Sequence, residues 1–146
     1  GKAIQALLDE NASLRKQLEK FEHAAVLTLR DELLHKAEPV KNVNFIGAQV
    51  KVGSADALKK LAFELKTLVK DHIIALTANI EGKAAVVLLF DEAIAAEKGL
   101  DAGKMIKTQL SALIKGGGGG QKTLATAGGQ DVSALHQVIE AVKAAI

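Results

Sequence analysis

Residues 115–131 read KGGGGGQKTLATAGGQD, five consecutive glycines followed by a pair, and only about 26 residues remain after Gly120 in a chain of 146. Glycine-rich runs usually serve as flexible linkers, but a linker must join two folding units. Twenty-odd residues are too few for a second core. They hold one short apolar stretch and one amphipathic helix, which must return to the core already built, so the run reads as a loop inside one domain. Five glycines there present backbone N–H groups with no side chain in the way, a surface able to form an anion-binding nest. Lys115 and Lys122 flank it and could add positive charge.

The run matches neither common phosphate motif. No Gly-Lys-Ser/Thr closes it, and it comes after a helix rather than a strand. Gly128 and Gly129 precede Asp131, a good N-cap whose carboxylate would itself satisfy the first amides of the last helix. That helix end therefore reads as capped, and the glycine pair as a means of close packing against the glycine loop.

Upstream, no proline or second glycine interrupts residues 2–38. Ile4, Leu7, Leu14, Leu18, Phe21 and Ala25 keep a coiled-coil rhythm, with Asn11 on the same seam. After Ala25 the apolar positions move to Val26, Leu29, Leu33 and Leu34, turning another face toward the domain downstream. Pro39 ends the helix. Because the pattern is already running by Ile4 behind an initial glycine, the sequence reads as an excised fragment.

Beyond Pro39 the period becomes two, with Ile46, Ala48, Val50 and Val52 on one side of a strand. Gly53 and Ser54 form a stop and an N-cap, and the next helix places Leu58, Leu61, Ala62, Leu65, Leu68 and Val69 on one stripe. Two apolar runs then meet at Glu81 and Gly82 as a hairpin, and Ala84–Phe90 is apolar throughout, as in a central strand. A helix over 101–115 points Met105, Ile106, Leu110 and Leu113 inward. TLATA reads as an edge strand, and the last helix, from Asp131, carries Leu135, Val138, Ile139 and Val142. The fold class is α/β (α+β): a long helical, coiled-coil segment over 1–39, then a small mixed-sheet domain over 40–146 with helices packed on the sheet.

No catalytic set stands out. The four histidines, His23, His35, His72 and His136, are scattered, and Asp91 and Glu92 read as a helix start. The absence of cysteine excludes disulfides and cysteine-held zinc. No stretch is long and apolar enough to span a membrane, and the cytosol is the default compartment. With four phenylalanines and no tryptophan or tyrosine, base stacking on aromatic rings is not the main mode of any nucleic-acid contact. The formal charge is +2 overall; Lys and Arg against Asp and Glu count 6 to 7 before Pro39 and 13 to 10 after it.

GGGGGQKTLATAGG, with the NFIGAQV strand, the lysine-bearing helix and the GKAAVVLLF strand ahead of it, resembles the C-terminal domain of alanyl-tRNA synthetases. That domain belongs to the accessory-domain superfamily found beside DHH phosphoesterases. The likeness covers roughly 42–146, and the long helix matches the segment that joins the synthetase editing domain to it. Many synthetases have Arg-Pro-Asp where this chain has Gln121, Lys122 and Thr123, and Ala-Gln where it has Ala125 and Thr126. Phosphoesterase relatives place a substrate-touching histidine where Gln121 stands.

The resemblance implies a non-catalytic module that binds the outer corner, or elbow, of tRNA(Ala) and couples aminoacylation with editing in a cytoplasmic alanine–tRNA ligase. It implies other domains of the parent synthetase as partners, and ATP, magnesium and zinc as cofactors of the parent, none of them in this fragment. The expected nucleic-acid contacts are Lys115, Gly116, Gly117, Gly118, Gly119, Gly120, Gln121, Lys122, Gly128 and Gly129. Two other readings stay open: an oligomerisation module that self-associates through helix 2–38, and the substrate-binding half of a DHH-type phosphoesterase.

Overall fold

The computed structural model describes the backbone of residues 2–146 and the side chains of 10–17, 20, 21 and 23–146. Helix α1 (Lys2–Lys36) stops before Pro39, and two hairpins then set the register of the sheet. The first joins β1 (Glu38–Val40) to β2 (Val43–Val50) through Lys41 and Asn42, at φ 48° and 71°. The second joins β3 (His72–Ile80) to β4 (Lys83–Phe90) through Glu81 and Gly82, at φ 52° and 81°. Positive φ at both central residues matches the turn to the right-handed twist of the strands. The side chain of Asn79 adds a bond from Gly82 N–H at 3.0 Å. The Glu81–Gly82 hairpin agrees with the sequence expectation. The β1 strand was not anticipated, because three residues around a proline carry no alternation.

Helix α2 (Ala55–Leu68) starts where Ser54 Oγ accepts Ala57 N–H at 3.1 Å, the expected cap. Its stripe of Leu58, Leu61, Ala62 and Leu65 is buried, whereas Leu68, at the C-terminal end, is exposed. With the C-terminal half of α1, through Val26 and Leu33, it covers one face of the sheet over Ile46, Ile74, Leu76 and Val87. The shift of apolar face after Ala25 is thus a docking of α1 onto the domain. Earlier in α1, Leu14 and Phe21 are exposed. The seam residues Ile4, Leu7 and Leu18 lie outside the described side chains.

The other face is covered by α3 (Glu92–Lys98), by a continuous helical stretch over 102–114, and by α6 (Leu135–Ala145), over Phe45, Ile73, Val86 and Leu88. Gly47 is what lets α6 approach: a Cβ there would stand 2.6 Å from both Ile139 Cγ2 and the Phe45 ring. Buried Leu135, Val138, Ile139 and Val142 carry the stripe expected of the last helix. Asp131 caps the short 3-10 turn Val132–Ala134 that leads into α6, accepting Ser133 N–H at 2.9 Å.

The single helix expected over 101–115 is divided. Helix α4 (Ala102–Met105) runs into a π-helical turn (Ile106–Leu110) and then α5 (Ser111–Ile114). Ser111 N–H bonds Ile106 C=O five residues back, and Ser111 Oγ bonds the same carbonyl at 2.7 Å. The wider turn holds one more residue than an α-helical turn. Its consequence is that Ile106, Leu110 and Ile114 are buried in line, with Leu113 only half-buried.

The main correction concerns the glycines. Gly116–Gly120 is not a loop: it is strand β5, paired antiparallel with β6 (Leu124–Gly129) at the edge of a six-stranded sheet ordered β1-β2-β3-β4-β6-β5. β6, expected at the edge, lies inside, between β4 and β5. Sequence propensity speaks against a polyglycine strand, since glycine is disfavoured in strands. Here close approach of neighbouring backbones decides instead. A Cβ at Gly116, Gly118 or Gly120 would run into the backbone of β6, and one at Gly103 would stand 2.7 Å from Gly120 O.

Candidate functional site

The loop from Gln121 to Thr123 is pinned on three sides. Ala102 N–H donates to Lys122 C=O at 3.0 Å, Gly103 N–H to Gln121 C=O at 3.1 Å, and Phe90 N–H to Thr123 C=O at 2.8 Å. The start of α4 is therefore stitched to the β5–β6 turn. Between this turn, α3 and α4 lies an open cleft of about 870 Å³, whose polar lining is Glu92, Asp101, Lys104, Gln121, Lys122 and Thr123. Asp101 Oδ1 already accepts Lys104 N–H at 3.0 Å, and Asp91 Oδ1 accepts Ala93 N–H at 2.9 Å at the head of α3. Both acids serve as helix caps, as expected of Asp91.

Lysines collect at this end of β5. Lys104 and Lys122 line the same cleft, and Lys107 lies along the glycine strand, its Cε 3.1 Å from where a Gly119 Cβ would sit. Lys115 does not join them. It occupies the left-handed C-cap of α5 at the opposite end of β5, roughly 16 Å away at 3.3 Å per strand residue. Gly128 and Gly129 pair with Gly117 and Gly116 near that same far end. The ten expected contact residues are thus spread along one two-stranded ribbon, with Gln121 and Lys122 at one tip and Lys115, Gly116 and Gly129 at the other. Lys104 and Lys107 were missed because nothing in the sequence says that their helix packs against the glycines.

The ribbon's glycines divide into two kinds. Gly116, Gly118, Gly120 and Gly129 are required by packing, Gly129 because its Cβ would collide with Ile114. Gly117 has nothing within 4 Å of a Cβ, Gly119 meets only the flexible end of Lys107, and Gly128 meets only Ala84 O at an ordinary 3.7 Å. No packing contact requires those three to be glycine.

Among the histidines, His72 is buried, with Nδ1 3.2 Å from Val69 O and 3.8 Å from Asp91 Oδ2, and Nε2 without a partner. Burial lowers its pKa below 6.5, against the pull of Asp91 and Asp71 and with the repulsion of Lys66. The folded chain therefore binds the proton less well than the unfolded chain. Its contribution is fully present above about pH 6.5 and is lost as the pH falls below that value. In urea melts at pH 7.5 and 5.5, the wild type should lose more stability on acidification than His72→Gln; an equal loss would remove His72 as the cause. No group of three or more metal-binding side chains is assembled among the described residues, and none of the described helices is long and apolar enough to cross a membrane.

The sequence model of the DHHA1 domain matches residues 42–146. The chain belongs to the DHHA1 domain family. It is 36% identical over 138 residues to an alanine–tRNA ligase of Cytophaga hutchinsonii, an alignment that takes in 94% of this chain and 16% of the ligase. It is 34% identical over 147 residues to the corresponding ligase of Chlorobaculum tepidum, covering 100% of this chain and 16% of that protein. The chain thus spans about one sixth of the length of these curated relatives. The fold is similar to the crystal structure of the C-Ala domain from Aquifex aeolicus alanyl-tRNA synthetase. The TM-score is 0.65 at 21% identity, over 75% of this chain and 96% of that one. The DHHA1 domain's α/β layout and the likeness to alanyl-tRNA synthetases both agree with the sequence reading.

Proposed function

We propose that this DHHA1 domain is a non-catalytic, tRNA-binding module of an alanine–tRNA ligase. It engages the outer corner of tRNA(Ala) through the β5–β6 ribbon and helps hold one tRNA while the other domains of the parent act on its acceptor end. The observation that carries this reading is the gathering of Lys104, Lys107 and Lys122 at one end of an exposed strand that has no side chains. Lysines neutralise phosphates, and bare backbone lets a sugar–phosphate chain come close. Such binding reads shape and backbone rather than base sequence, which suits a chain poor in aromatic residues. Gln121, in place of a histidine, contributes an amide rather than a titrating group to the cleft.

The test is a titration of the chain with full tRNA(Ala) and with an isolated acceptor-stem hairpin at 50 and 200 mM salt. Full tRNA should bind more tightly, and its affinity should fall as salt rises, because each neutralised phosphate releases counterions. Equal affinity for the two RNAs would refute contact with the corner. Binding that ignores salt would refute contact with phosphates.

A further inference from the structure

The sheet is open along part of its other edge. β1 has three residues and covers only Val43–Phe45 of the eight-residue β2, leaving Ile46–Val50 without a strand on that side. Residues along a strand send both backbone groups to alternating sides. Asn44 N–H bonds Asp71 C=O on the β3 side, so Asn44, Ile46, Ala48 and Val50 face β3, while Val43, Phe45, Gly47 and Gln49 face the β1 side. The same alternation explains why Pro39 is tolerated in β1: it lies opposite Asn44, where no N–H is called for. The N–H and C=O groups of Gly47 and Gln49 thus point into open space beyond the end of β1. A groove of about 310 Å³ lies there, floored by Gly47, Ala48 and Gln49 and walled by Lys36 and α6.

Its charges favour one kind of occupant. The two carboxylates in the groove are already engaged, Glu38 with Lys143 at 2.7 Å and Glu140 with His136 at 3.7 Å. Lys36 in its wall and Lys51 just past β2 form no ion pair among the described residues. The uncompensated charge is positive.

We propose that this slot receives an extended, acidic polypeptide segment that continues β1, bonding through its main chain to Gly47 and Gln49 and placing carboxylates by Lys36 and Lys51. Edge strands recruit extended peptides in this way, with main-chain bonds giving affinity and flanking pockets giving selectivity. The site is on the opposite edge of the sheet from the lysine-lined ribbon, and the proposal is independent of tRNA binding.

The test is amide hydrogen exchange with a soluble octapeptide alternating glutamate and valine, and with its lysine–valine counterpart. In the free chain, Gly47 and Gln49 should exchange much faster than Ile46 and Ala48. The glutamate peptide should slow Gly47 and Gln49 by about tenfold or more, the lysine peptide should not, and Lys36→Glu with Lys51→Glu should abolish the effect; about tenfold is a modest difference in affinity. Gly47 and Gln49 already protected in the free chain, no protection by the glutamate peptide at millimolar concentration, or equal protection by both peptides would overturn the proposal. Protection of these two amides by tRNA but not by peptide would do so too, assigning the edge to RNA.

Discussion

Gly118→Ala should lower the unfolding free energy by about 1–3 kcal/mol, as overpacking does, while Gly117→Ala should leave it unchanged or raise it by about 0.4–1 kcal/mol. The two glycines are neighbours in one exposed strand, so composition and exposure give no ground for a difference. The difference is spatial. A Cβ at Gly118 would press on Thr126 O and stand 2.5 Å from Ala127 Cα, both backbone atoms of β6, whereas a Cβ at Gly117 meets nothing within 4 Å. The backbone of β6 cannot retreat easily, because its far side is paired to β4 from Ala84 to Leu89. Gly117 also has no positive φ that an alanine would resist. Urea denaturation followed by circular dichroism on the two variants measures the contrast. Equal destabilisation would mean that β5 is not held against β6 as described.

The second large effect is on binding. Replacing Lys104, Lys107 and Lys122 together by alanine should reduce the salt slope of tRNA binding by about three units, one for each lysine that contacts a phosphate. At a slope of about 0.9 per phosphate, three lost contacts remove about a 40-fold share of the affinity change between 50 and 200 mM salt. Lys115→Ala, at the opposite end of β5, is the internal control and should change the slope much less. All four side chains are exposed, and none makes a salt bridge among the described residues, so stability should be unaffected. A slope that responds to Lys115 and not to the other three would move the interface to the far end of the ribbon. If Gly117→Ala keeps its stability but also weakens tRNA binding, the RNA comes within a methyl's reach of the strand.

Much of the fold was legible because burial leaves a period. Two-residue alternation marked β2, an unbroken apolar run marked β4 as doubly covered, and Ser54 and Asp91 marked helix starts through chemistry local to a few residues. The missed elements lack such a period. β1 is three residues with a proline, α3 is seven residues between an N-cap and a left-handed glycine, and β5 has no side chains from which to read any pattern. The candidate site was legible as a stretch but not as a surface. Lys122 and Gln121 line the cleft as neighbours of the glycines in sequence, while Lys104 and Lys107 reach it across space.

The sequence alone determined that the glycines belong inside one domain, because the residues after them are too few to fold separately, and its glycine motif pointed to the family. Only the tertiary structure decided that they form a strand. Glycine's own preference disfavours that conformation, and β5 forms because the backbones of β6 and α4 come too close to leave room for a Cβ on alternate residues. That approach is a property of three elements packed together, and no local rule of sequence contains it.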